Sequence, residues 1–228
     1  NMTLFVGGQV TYTGSGNFTN NSGYTSTGNG FVSMNGLVGQ TVGGTGTFGN
    51  FEVDAGLPPP GPINTCTVAG TFTGTFNLTS GTTAGGAAIV FNGTNPFPTI
   101  VRNAGTFAVA PTFTSMVNVY YIGLDKGTAL ELPTAADKLN NLTVATTNGF
   151  ATAGKGTVNV AVATTVNGTL NILPGQALVI NGVNLTVKGP SIVLGGDLAN
   201  EYVVPPALPI GRLILDGGAY CSWSETTL

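Results

Sequence analysis

Between Gly168 and Gly196 apolar residues recur with a period of two in short runs. Thr169-Leu170-Asn171-Ile172, Leu178-Val179-Ile180, Leu185-Thr186-Val187 and Ile192-Val193-Leu194 each place apolar residues at i and i+2. That is the pattern of a strand with one buried face. Pro174-Gly175, Asn181-Gly182 and Gly189-Pro190 lie between these runs, and all three pairs favour turns. The leading apolar residues stand at 170, 178, 185 and 192, so three strands and three turns advance the chain by 22 residues. A chain that closes such circuits and stacks on itself is a three-sided parallel β-solenoid. Each circuit needs its neighbours above and below to bury its inner face.

The N-terminal part carries a looser version. Val10/Tyr12, Phe31/Ser33 and Phe51/Val53 recur about 20 residues apart, with Phe18, Tyr24, Leu37, Val42 and Phe48 between them. A similar circuit connects Val68 to Ile89 and Phe91. The expected fold is therefore all-β, a parallel β-solenoid (β-helix) of roughly 20–22-residue circuits. An antiparallel β-sandwich is the alternative, because it too gives short strands with regular turn signals, and Asn-Gly also makes hairpins. Two breaks divide the pattern. Pro58, Pro59, Pro60 and Pro62 prevent residues 55–65 from pairing as an interior strand, so this segment reads as a loop or linker. It separates an N-terminal repeat region, 1–54, from a main solenoid, 66–196. Residues 197–228 read as a proline-containing break with Pro205, Pro206 and Pro209, one last strand at Arg212–Asp216, and a polar tail holding Cys221 and Trp223.

Composition narrows the function more than the fold. Gly, Thr and Asn supply 93 of the 228 residues, all three poor helix formers. Hydrophobic residues still make up 42% and the mean hydropathy is +0.31, which argues for a folded chain over a disordered one. Six basic residues against nine acidic ones leave too few cations for nucleic-acid binding. The absence of histidine removes Ser-His-Asp triads and histidine-ligated zinc. No apolar run approaches the length of a membrane span. The opening Asn1-Met2-Thr3-Leu4-Phe5-Val6 lacks a basic n-region and a long apolar h-region, and reads as a mature or excised segment.

Several runs resemble the repeats of very large secreted β-helical surface and adhesin-like proteins of Bacteroidota and related bacteria. They are Asn17-Phe18-Thr19-Asn20-Asn21-Ser22-Gly23, Gly39-Gln40-Thr41-Val42-Gly43-Gly44-Thr45-Gly46 and Phe48-Gly49-Asn50-Phe51-Glu52-Val53. Pro98-Thr99-Ile100-Val101-Arg102, Leu139-Asn140-Asn141-Leu142-Thr143-Val144 and Thr164-Thr165-Val166-Asn167-Gly168-Thr169-Leu170 look like neighbouring repeat types of the same proteins. The resemblance covers most of residues 5–195 and departs after Asp197. It implies an exported β-helical stalk or fibre, often part of a longer polypeptide, and brings no catalytic residues with it.

The chemistry-bearing residues are sparse. Glu52 and Asp54 lie two apart on one strand and point the same way. They are the local candidate for paired carboxylates, with a solvated strand edge as the plainer reading. Asp125-Lys126 and Asp137-Lys138 flank Glu131, as a mixed-charge turn or as the makings of a Lys–Asn or Lys–Asp cross-link. Cys66 and Cys221 admit three states: free buried thiols, a disulfide closing a long loop, or a bond to a neighbouring subunit. Asn-x-Ser/Thr sequons begin at Asn1, Asn17, Asn20, Asn77, Asn92, Asn141, Asn167 and Asn184. Asn167 and Asn184, at solenoid turns, are the candidate glycosylation sites. Thr-x-Thr pairs at Thr11/Thr13, Thr25/Thr27, Thr71/Thr73/Thr75 and Thr112/Thr114 raise ice binding, but they do not recur every circuit, and β-propensity explains them better. No catalytic, cofactor or metal-binding residues are expected.

These readings converge on a structural, non-enzymatic protein at the cell surface or outside the cell, a subunit of a self-assembling fibre, sheath or filament. End-to-end β contacts are expected to make it a homo-oligomer or homopolymer, without nucleic acid or a membrane span. The alternative is an adhesin stalk or carbohydrate-binding surface module. There a glycan ligand would lie on the exposed Thr/Asn face or the 55–65 loop, with Trp223 and the Tyr120-Tyr121 pair as its few aromatic candidates.

Overall fold

The computed structural model describes residues 2–4, 9–12, 16–21, 24–26, 30–36, 39–56, 64–147, 156–180, 182–189, 191–199, 212–215 and 220–223. Its strands pair in parallel, and coils of about 23 residues stack into a β-solenoid. Parallel pairing excludes the antiparallel sandwich. The chain forms two compact units, Asn1–Val117 and Asn118–Leu228.

In the first unit the chain visits three faces in rotation. Gln9–Tyr12, Phe31–Met34, Phe51–Asp54, Thr75–Ser80 and Thr99–Arg102 stack on one face. Gly16–Thr19, Gln40–Gly43, Thr65–Val68, Thr82–Ala84 and Thr106–Phe107 form the second. Thr47–Phe48, Gly70–Phe72, Ile89–Phe91 and Thr112–Phe113 form the third. Register puts like on like. Val32, Phe51, Phe76 and Ile100 stand opposite one another on the first face and are fully buried. On the third, Phe48, Phe72, Phe91 and Phe113 form a column of rings with centroids 4.9, 6.0 and 5.7 Å apart. Phe51 and Phe76 reach into it from the first face, 5.4 and 4.8 Å from the Phe72 ring. Burying each such ring contributes roughly 1.5–3 kcal/mol, so the aromatic column is the main anchor of this unit.

Two sequence expectations change here. The recurrence grouped Phe31/Ser33 with Val10/Tyr12 and Phe51/Val53, but the register pairs Val10 with Val32 and Val32 with Phe51, so Val32 and Met34 face the core; Phe31 is half-exposed, while Ser33 is buried as well. A shift of one residue exchanges the two sides of a strand. Val68 belongs to the second face, opposite Val42, and the circuit reaching Phe91 starts from Phe72.

The second unit repeats the three-faced path. Leu139–Thr146, Leu170–Ile172, Ser191–Leu194 and Tyr220–Trp223 share one face. Lys126–Gly127, Gly156–Val160, Gln176–Ile180 and Asp197–Ala199 share another. Thr164–Val166, Leu185–Val187 and Leu213–Leu215 share the third. Leu170 opposes Ile192, the 22-residue circuit read from the sequence. Gln176–Ile180 departs from simple alternation: Ala177, Leu178, Val179 and Ile180 are all buried, so both sides of this strand are covered.

The coils also continue beyond the expected break. Asp197–Ala199 pairs with Ala177–Val179, and the segment read as a polar tail supplies Tyr220–Trp223, paired with Ser191–Leu194. The prolines of 57–63 and of 200–211 lie outside the described residues. No helix among the described residues is long and apolar enough to cross a membrane.

Candidate functional site

The acidic pair sits on the outward side of Phe51–Asp54, because Phe51 and Val53 take the inward positions. Neighbouring coils occupy both carboxylates. Thr79 Oγ1 donates to Glu52 Oε1 at 2.7 Å, and Ser80 Oγ to Asp54 Oδ1 at 2.6 Å. Asn35 Nδ2 donates to Asp54 Oδ2 at 3.1 Å from the coil on the other side. Asn35, Asp54 and Ser80 thus tie three successive coils at one corner. This is chemistry that staples a stack, and each charge-assisted bond contributes more than a neutral one.

Glu131 behaves unlike the mixed-charge turn read from the sequence. It is fully buried, and its Oε1 accepts from the Tyr121 hydroxyl at 2.7 Å and from the Ala129 backbone at 2.9 Å. Tyr121 takes an inward position of Val117–Gly123, while Tyr120 is half-exposed. Glu131 therefore pins the excursion 128–138 onto that strand. The signal was present as an acid ten residues after an inward tyrosine, but spacing alone does not show that the two meet. Around it, Lys138 and Asp137 pair with each other at 3.4 Å, Lys126 Nζ donates to the Ile122 carbonyl, and Asp125 Oδ1 accepts from the Thr157 backbone at 2.7 Å.

Cys66 is a free, fully buried thiol facing the core of the first unit, and burial pushes its pKa up to about 12. Its register partners are Gln40 and Thr83. The buried Thr83 hydroxyl has no hydrogen-bond partner among the described residues. Cys221 lies on Tyr220–Trp223, opposite Ile192, and its side chain is outside the description. Trp223 shares that strand, and its side chain is likewise outside the description.

The outer surface of the third face is ordered. Thr47, Thr71, Val90 and Thr112 form one column in register. Thr73, Asn92 and Thr114 follow the inward phenylalanines of three successive coils, each donating its backbone N–H to the carbonyl of the phenylalanine one coil below. The Thr73 and Thr114 hydroxyls bond those same carbonyls at 3.1 and 2.9 Å. The Thr71/Thr73 and Thr112/Thr114 pairs therefore share two columns, interrupted by Val90 and Asn92.

Of the two candidate glycosylation sites, Asn167 spends its amide on internal bonds, Nδ2 donating to Ala136 O at 2.8 Å and Leu139 O at 2.9 Å. Asn184 is exposed at the start of Leu185–Val187. Among the described residues, no group of three or more His, Cys, Asp or Glu side chains is placed to hold a metal ion. No protein-family profile matches the chain, and neither does any curated protein or solved structure.

Proposed function

We propose that this chain is a structural, non-enzymatic extracellular protein, a subunit of a self-assembling surface fibre, sheath or filament of the secreted β-helical kind its repeats resemble. The observation that carries this reading is the in-register repetition of inner positions, Val32–Phe51–Phe76–Ile100 beside Phe48–Phe72–Phe91–Phe113. Among the described residues, the inner side of each of these coils is covered by the coil stacked on it. A surface of that kind on a second copy satisfies the same apolar and backbone groups, so copies join through β contacts without new chemistry. The low charge, fifteen ionisable acids and bases in 228 residues, leaves little repulsion between copies. Its polar groups work inside the stack, as the Asn35–Asp54–Ser80 corner illustrates.

Electron microscopy of the native material tests the proposal. Regular filaments whose axial repeat matches one folded subunit are the expected result. Isolated particles at high concentration sink the polymer and leave the second reading, an adhesin stalk or carbohydrate-binding surface module. That reading draws on the outward Thr73–Asn92–Thr114 column, and a glycan-binding screen is its test.

A further inference from the structure

The eight sequons are not equivalent once folded. A sequon inside a strand has its backbone held in the ladder, so it cannot be drawn out into the active site of a transferase, whereas an exposed segment beyond a strand end can. Asn17, Asn77 and Asn141 lie within strands, and Asn184 leads directly into one. The Thr186 of the last sequon is held in register between Thr165 and Ile214. Asn20 is buried and donates Nδ2 to Thr47 O at 2.9 Å, and Asn167 sits in a turn but spends its Nδ2 on two carbonyls. Asn1 is outside the described residues.

Asn92-Gly93-Thr94 lies past the end of its strand. Asn92 and Thr94 are exposed, and the chain leaves the strand Ile89–Phe91 into a bend at 94–96. The backbone is anchored just before it, Asn92 N–H donating to Phe72 O at 3.0 Å and Gly93 N–H to Ser115 Oγ at 2.9 Å. The Asn92 side-chain amide has no hydrogen-bond partner among the described residues.

We propose that Asn92 is the N-glycan acceptor of this chain, an inference that rests on its being an exported protein. The donor is a polyprenyl-pyrophosphate-linked oligosaccharide presented by an oligosaccharyltransferase. Asn92 Nδ2 bonds to the anomeric carbon, the bond from that carbon to the pyrophosphate oxygen breaks, the lipid pyrophosphate leaves, and the amide proton passes to a base of the transferase. The sugar then projects from the column that Thr73 and Thr114 occupy on adjacent coils, where it displaces no internal bond. On Asn20 or Asn167 it would break the bonds that hold neighbouring coils.

The test is secretion from a glycosylating host with a control sequon on an appended flexible tail, followed by peptide mapping of the folded product. The expected result is a glycan at Asn92, abolished by Asn92→Gln and by Thr94→Ala, kept by Thr94→Ser and unaffected by Asn167→Gln. A modified tail with an unmodified Asn92, or a folded product glycosylated at Asn167 or at a strand asparagine, overturns the proposal. The host supplies export, so failure here leaves the fibre reading standing, and isolated particles in the microscope leave Asn92 standing.

Discussion

Glu131 accepts hydrogen bonds from Tyr121 and from the Ala129 backbone where water does not reach. Glu131→Ala leaves two donors without that acceptor and should cost about 2–4 kcal/mol in urea unfolding, whereas Glu131→Gln keeps an acceptor oxygen and should cost less than half of that. Cys66 makes the opposite kind of demand, because its burial favours the neutral thiol. The thiol ionises at 9.0 in the unfolded chain and at about 12 in the folded one. The stability it provides is therefore complete below pH 9 and is lost as the pH rises from 9 towards 12. Thermal melts across that range should fall less steeply for Cys66→Ala than for the unsubstituted protein. Cys66 was legible as a candidate buried thiol among three alternatives. Glu131 was not legible as buried, since a charged residue between two Asp-Lys pairs looks solvated until tertiary contact supplies its donors.

At the scale of the element, the phenylalanine column carries the first unit. Phe72 lies within 6.0 Å, centroid to centroid, of Phe48, Phe51, Phe76 and Phe91. Phe72→Ala should destabilise by about 3–5 kcal/mol. Val109→Ala, at a side chain 58% exposed, should stay within about 0.5 kcal/mol in the same denaturant titration. Turns impose a second limit. Gly85 has a φ of 129°, and a Cβ there would lie 1.8 Å from the Val68 carbonyl oxygen. Gly85→Ala should therefore cost at least about 1–3 kcal/mol by calorimetry. The strands of 170–194 were legible because apolar residues recur at i and i+2 in each run and the gaps hold turn pairs, although Gln176–Ile180 turned out to be buried on both sides. Phe31-Val32-Ser33-Met34 offered apolar residues in both phases, so only pairing with Val10 and Phe51 decided which side faces in.

For the molecule as a whole, the scarcity of charge has a measurable consequence. Exposed ion pairs such as Asp137–Lys138 contribute little and are screened by salt. The melting temperature should shift by no more than a few degrees between low and high sodium chloride, and a large shift would show that charged corners such as Asn35–Asp54–Ser80 carry more of the stability than the apolar columns. The scattering of acids along the sequence already pointed away from a two-carboxylate site. The structure gives these outward acids a local role, since Glu52 and Asp54 accept hydrogen bonds from adjacent coils.

From the sequence, apolar residues recurring with period two, turn pairs at seven- and eight-residue steps and a 22-residue circuit narrowed the architecture to stacked parallel coils or an antiparallel sandwich, and the parallel pairing of the strands excluded the sandwich. The recurrence and the turns are local properties, set by the pleat of the strand and the dihedral preferences of Gly, Pro and Asn. Tertiary structure alone decided the pairings across coils. It set the register that turned Val32 inward and continued the coils through Tyr220–Trp223. It also buried Glu131 against Tyr121 and left the Asn92 side chain exposed and, among the described residues, without a hydrogen-bond partner, where the Asn167 side chain is bound. Those outcomes depend on partners some 10 to 31 residues away, whose positions are fixed only when a whole coil settles on its neighbour and the hydrogen bonds of both are satisfied together.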